Sequence, residues 1–159
     1  MSHVAITIAD AVVKTLNEAP AKTFSSDAFD NDNDGKLVRS FIAVRYYVPA
    51  FTLEELKTLH VSVIPKSVAE QINTRNTTQG EYQVDIAVQK HVDPSDLSAV
   101  DALMSFVQEI TDYFRFKRLE DCESAIWIAT LNQPIYGTEH MTNDRLFTSV
   151  LTLTFQVER

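Results

Sequence analysis

Residues 82–119 read YQVDIAVQKHVDPSDLSAVDALMSFVQEITDYFRFKRL, and a change of period inside them decides the fold. Up to Val92 the apolar residues alternate, with Val84, Ile86 and Val88 on one side and Asp85, Gln89 and His91 on the other. That is the pattern of a half-buried antiparallel strand. From Asp93-Pro94 onward the spacing becomes three and four: Leu97, Val100, Leu103, Met104, Val107, Ile110 and Phe114. Asp93 is a suitable N-cap and Pro94 a suitable first helical residue, so a helix is predicted over Pro94–Leu119. At ~1.5 Å per residue such a helix measures about 39 Å, enough to cross a small sheet.

Working outward, Thr7 and Asp10 read as a capping box for a first helix with Ile8, Ala9, Val12, Val13 and Leu16 on its buried stripe, ended before Pro20. The runs Lys22–Phe29 and Lys36–Val48 are rich in aromatic and β-branched residues and flank Asp30-Asn31-Asp32-Asn33-Asp34-Gly35. They read as a hairpin with a long polar tip at 30–35. A strand is expected at His60–Pro65, an exposed loop at 66–80, and two closing strands at Ala125–Asn132 and Phe147–Val157. The expected order is αββββαββ. The fold class is α+β, a mixed or mainly antiparallel sheet with two helices packed on one face. One domain over residues 1–159 suffices, since a chain of 159 residues buries roughly 68–70% of its unfolded surface.

Fourteen Lys and Arg stand against 22 Asp and Glu, a net charge of −8. This balance disfavours a sequence-reading nucleic-acid binder. The nearest basic cluster, Arg115, Lys117 and Arg118, falls where cations complement the C-terminal end of the predicted helix. No stretch is long and apolar enough for a membrane span, and the N-terminal residues carry no secretory pattern. Cys122, the single cysteine, is read as a plain reduced thiol.

Chemistry is poorly represented. Gly35, Gly80 and Gly137 stand too far apart for a phosphate-cradling loop, and His3, His60, His91 and His140 show no helical metal-ligand spacing. An enzyme would have to gather scattered residues such as His91, Asp93, Glu139 and His140. No catalytic residue and no cofactor is expected. Asp30, Asp32 and Asp34 open like a calcium loop, but the twelfth position is Phe41 where a bidentate Glu belongs, and the flanks read as strands. An Asp-Gly turn explains the same letters without a metal.

Five phrases carry a resemblance: Arg45–Phe51 with Leu53–Leu56, Val61–Pro65, Val88–Pro94, Gln133–Tyr136 and Phe147–Phe155. Together they resemble the small neck and tail-completion proteins of tailed phages, over nearly the whole chain. Those phrases are strand and turn patterns with no catalytic signature among them, and the segment from Ser25 to Ser40 is longer than the family pattern.

The resemblance implies a tail terminator: a non-enzymatic virion protein, assembled in host cytoplasm, whose copies form a ring, typically sixfold, capping the tail tube and joining it to the head. Its implied partners are further copies of itself, tail-tube and head-completion proteins, and genomic DNA passing unread through an acidic channel. The segments 30–35 and 66–80 are expected to meet other virion proteins. A head-completion or tube subunit, or a small calcium-binding module, are the alternatives.

Overall fold

The computed structural model describes residues 3–20, 23–24, 29–31, 37–39, 41–119 and 122–159; side chains of 29–31, 37–39 and 123 lie outside this description. Among the described residues three α-helices, α1 (Val4–Asn17), α2 (Leu97–Phe114) and α3 (Thr138–Asp144), and a short 3-10 turn at Glu55–Lys57 accompany eight strands. The strands are β1 (Phe29–Asn31), β2 (Leu37–Arg39), β3 (Ala43–Arg45), β4 (His60–Ile72), β5 (Thr78–His91), β6 (Arg118–Leu119), β7 (Cys122–Asn132) and β8 (Leu146–Glu158). The fold is α+β. Its main sheet is mixed, in the order β3-β4-β5-β8-β7-β6, and every pairing is antiparallel except β3 with β4. β1 and β2 form a separate antiparallel pair.

The alternation in β5 has the expected consequence. Tyr82, Val84, Ile86 and Val88 share the core with Leu151, Leu153 and Phe155 of β8 and with Val61 and Val63 of β4. α1 adds Ile8, Val12 and Leu16 to this core, and α2 adds Phe106, Val107, Ile110 and Phe114. A helix whose apolar residues recur at three and four buries one stripe, and here both stripes meet one face of the sheet. Phe24, Phe41 and Phe106 close the core edge in tilted and edge-to-face contacts, with centroids 5.2–5.9 Å apart.

Several expectations need correction. The order αββββαββ omits α3, which Gly137 begins and Arg145 ends in a left-handed conformation (φ 51°). α3 contributes no fully buried residue, so no apolar stripe announces it. His3, not Thr7, caps α1: its Nδ1 accepts from the Ala5 N–H at 3.1 Å, while the Thr7 hydroxyl bonds back to the His3 carbonyl. Asp96, not Asp93, caps α2, accepting from the Ala99 N–H at 3.2 Å. α2 ends at Phe114, and Arg118 and Leu119 belong to β6.

The largest correction concerns residues 66–80. They form no loop: β4 continues to Ile72, and a turn closed by the Asn73 N–H on the Thr77 carbonyl (3.0 Å) leads into β5. The sheet thus carries a long two-stranded arm.

Candidate assembly surface

β4 changes character along its length. Val61, Ser62 and Val63 are buried, whereas every residue from Lys66 to Ile72 is exposed. The change coincides with a bulge between Pro65 and Ser67 opposite β5. Before the bulge the odd-numbered residues Val61 and Val63 face the core; after it Val68 stands opposite Tyr82. The inserted Lys66 reaches Thr152 Oγ1 (3.4 Å) and Asp85 (3.7 Å), and the Thr152 hydroxyl donates to Asp85 at 2.6 Å. A bulge re-aims a side chain, and here it brings an ammonium to a half-buried carboxylate.

The edge that β4 presents is also divided. β3 covers only Val61–Val63, and the Tyr46 N–H adds a bond to the Val63 carbonyl at 2.9 Å. Pro65, which has no N–H to give, stands where that coverage stops. Beyond it, no described residue bonds to the outer backbone of Lys66–Ile72. The opposite side of the sheet repeats the situation. β6 covers β7 at Cys122 and Ile126, with Trp127 N–H on the Lys117 carbonyl at 3.0 Å, and leaves Ile128–Asn132 without a described partner on that side. Both bare segments carry exposed apolar side chains: Val68 and Ile72 (83% exposed) on β4, Ile128 and Leu131 on β7.

The residues that sequence reasoning weighed for chemistry do not converge. His91 and Asp93 border a cleft of about 420 Å³ between the end of β5 and the start of α2, floored by Leu103 and Phe106. Glu139 and His140 are not among its lining residues; His140 lies on α3, its Nδ1 3.2 Å from the Thr148 hydroxyl. The Asp93 carboxylate accepts from the Ser95 N–H (3.0 Å) and hydroxyl (2.8 Å), which holds its pKa below the usual carboxylate value. Such a carboxylate is a turn lock and a poor base at neutral pH.

Of the acidic tip, Asp30 lies in β1, while Asp32 and Asp34 fall outside the described residues. The flanks are strands, and Phe41, at the position a calcium loop reserves for its bidentate Glu, is 2% exposed in the aromatic cluster. Among the described residues no group of three or more His, Cys, Asp or Glu side chains could hold a metal ion. The basic cluster splits: Arg115 follows α2 and pairs with Asp112 at 2.9 Å, Lys117 lies 4.0 Å above the Tyr113 ring, and Arg118 enters β6. Only Arg115 keeps the expected helix-end role. Cys122 is a free, partly buried thiol at the start of β7. No helix among the described residues is long and apolar enough to cross a membrane.

Sequence reasoning missed the arm because Lys66, Ser67, Glu70, Gln71 and Asn73 break the apolar alternation. The usable signal was the length of β5. A strand that alternates from Tyr82 needs hydrogen-bonded neighbours along its whole length.

No protein family matches the chain, and no curated protein sequence matches it. A solved structure does: a chain described as "Virion of native gene transfer agent (GTA) particle", at 15% identity and a TM-score of 0.59, with 100% of both chains covered. The two share a fold from end to end.

Proposed function

We propose that this chain is a structural subunit of a phage-like virion, a tail terminator whose copies close into a ring that ends the tail tube and joins it to the head. The supporting observation is the end-to-end fold likeness to a chain of a gene transfer agent virion, both chains covered completely. A shared fold alone does not carry function, so the surface matters as well. Titratable side chains are scattered, whereas two sheet edges and an exposed arm stand ready for protein contacts. On this reading the protein works in the virion and is not an enzyme. Its partners are its own copies, the tail tube and the head-completion proteins.

The formal charge of −8 suits a channel that DNA passes through, because acidic walls repel phosphate. We place acidic side chains on the lumen. A strongly basic lumen in an imaged ring would refute that part. The arm at 66–80 and the acidic tip at 30–35 are assigned to contacts with neighbouring virion proteins, to be read as protection from proteolysis on assembly.

Light scattering on the purified chain tests the main claim. A species near six times the 18.0 kDa chain mass, seen as rings by negative-stain imaging, is the expected result. A chain that stays monomeric in the presence of tail tubes, and does not bind them, overturns it.

A further inference from the structure

We infer that the bare edge of β4, Lys66–Ile72, takes the bare edge of β7, Ile128–Asn132, from a second copy of this chain, joining two sheets antiparallel. The inference rests on the ring reading above and names the surface that would close it.

Backbone direction comes first. The Val63 carbonyl accepts from Tyr46, so odd-numbered residues of β4 before the bulge point away from β5. The bulge between Pro65 and Ser67 shifts that parity, turning the backbone of Val68, Glu70 and Ile72 outward. On β7, Trp127 bonds outward to Lys117 while the Gln133 N–H bonds inward to the Val150 carbonyl at 3.0 Å. With the bulge between Trp127 and Ala129, Thr130 and Asn132 therefore point outward. Each segment offers a short row of donors and acceptors with no described partner. Backbone groups in that state are met by water or by another strand.

On the ring reading the two rows join each other rather than each joining itself. They lie on opposite sides of one sheet, so joining one to the other in a second copy is a head-to-tail contact, the kind that closes rings. Between β4 and β7 lie three antiparallel steps, through β5 and β8, so β7 runs opposite to β4. Across the sheet Val68 stands level with Trp127 and Pro65 with Thr130, so a neighbour related by rotation about an axis inclined to the strands, which offsets it along them, meets Lys66–Ile72 with an antiparallel Ile128–Asn132. The exposed Val68 and Ile72 offer apolar side chains on the face that carries Tyr82 and Phe155, and Leu131, opposite Thr152, offers one on the other face. Pro65 and Lys66 guard the row at the end where β3 already pairs, and leave the rest open.

The test uses the full chain in a Cys122→Ser background. Val68→Cys, Glu70→Cys and Ile72→Cys are each combined with Thr130→Cys, oxidised, and run without reductant. A disulfide needs Cα atoms about 4.4–6.8 Å apart, so a ladder of covalent oligomers from at least one pair reports the seam. Cross-linking by Val68→Cys, Glu70→Cys or Ile72→Cys alone would mean β4 against β4, and overturns it. In parallel, Val68→Pro removes one outward N–H without touching a β5 bond. Proline is tolerated on such an edge, and the variant is expected to weaken self-association at least about tenfold. An assembled ring that gives no mixed-pair ladder and tolerates Val68→Pro sinks the seam and leaves the ring reading standing. A chain that never self-associates, even on tail tubes, sinks both.

Discussion

The two halves of β4 are one strand in two different surroundings. From His60 to Pro65 it is paired on both sides near Val61–Val63 and sends Val61 and Val63 into the core; from Lys66 to Ile72 it is paired on one side and wholly exposed. The near half is held by burial, at ~25 cal/mol per Å² of apolar surface removed from water. The far half is held by its ladder with β5, which makes little net contribution because water competes for the same bonds. An element so built is fixed in the core at one end and open along one edge at the other.

The boundary between the two halves of β4 lies at the row of Val68, Tyr82, Phe155 and Trp127. Phe155 is fully buried in β8, opposite Tyr82 on one side and Trp127 on the other, and Tyr82 in turn stands opposite Val68. Phe155→Ala is expected to cost about 3–5 kcal/mol in denaturant unfolding. A cost below about 1 kcal/mol would mean the core stops short of this row, and the division of β4 would be drawn in the wrong place.

Two valines on this strand differ chiefly in burial. Val63 is 0% exposed and Val68 is 45% exposed on the same strand. Val63→Ala is expected to lose about 1.5–3 kcal/mol, and Val68→Ala to stay within about 0.5 kcal/mol. Equal losses, measured by thermal or denaturant melts of the monomer, would show that the arm is part of the core.

The same division explains what was legible in the sequence. β5 and β8 alternate because one face meets the helices, and both were readable from Val84-Ile86-Val88 and Leu151-Leu153-Phe155. The arm was not. A strand exposed on both faces has no reason to alternate, and residues such as Glu70, Gln71 and Asn73 read as loop. α3 failed for the same reason, having no buried stripe. The helix starts slipped by one turn because capping depends on which acceptor the chain geometry brings to a free N–H. Asp93 and Asp96 are equally good letters, and only Asp96 reaches Ala99. The edges could not be read at all, since they depend on how far β3 and β6 extend along their neighbours.

That cap supplies a smaller effect. Asp96→Ala is expected to lower global stability by about 1 kcal/mol, since the Ala99 N–H loses its acceptor. Hydrogen exchange separates the two halves of β4 in this variant. Amides of Val61 and Val63 that open only by global unfolding should exchange faster, while those of Ala69 and Gln71, which face β5 and open by local fraying, should not change. Acceleration of both sets alike would unite the halves into one cooperative unit.

The smallest expected effect lies at the far end of β5, where Asp93 closes the strand opposite to the arm. Hydrogen bonds from the Ser95 backbone and hydroxyl lower the Asp93 pKa below its ordinary 3.8. A lowered folded pKa means that the stabilisation is complete above the unfolded pKa and is lost as pH falls through the folded one. It is therefore present at neutral pH and fades only in acid, below about 3.8. Ser95→Ala removes the hydroxyl bond and keeps the backbone one, so the Asp93 carboxyl followed by NMR should titrate at higher pH without returning to the ordinary value. An unchanged titration would assign the shift chiefly to the backbone N–H, its largest cause. It would then be a property of the turn that ends β5, fixed by chain geometry and independent of the side chain at Ser95.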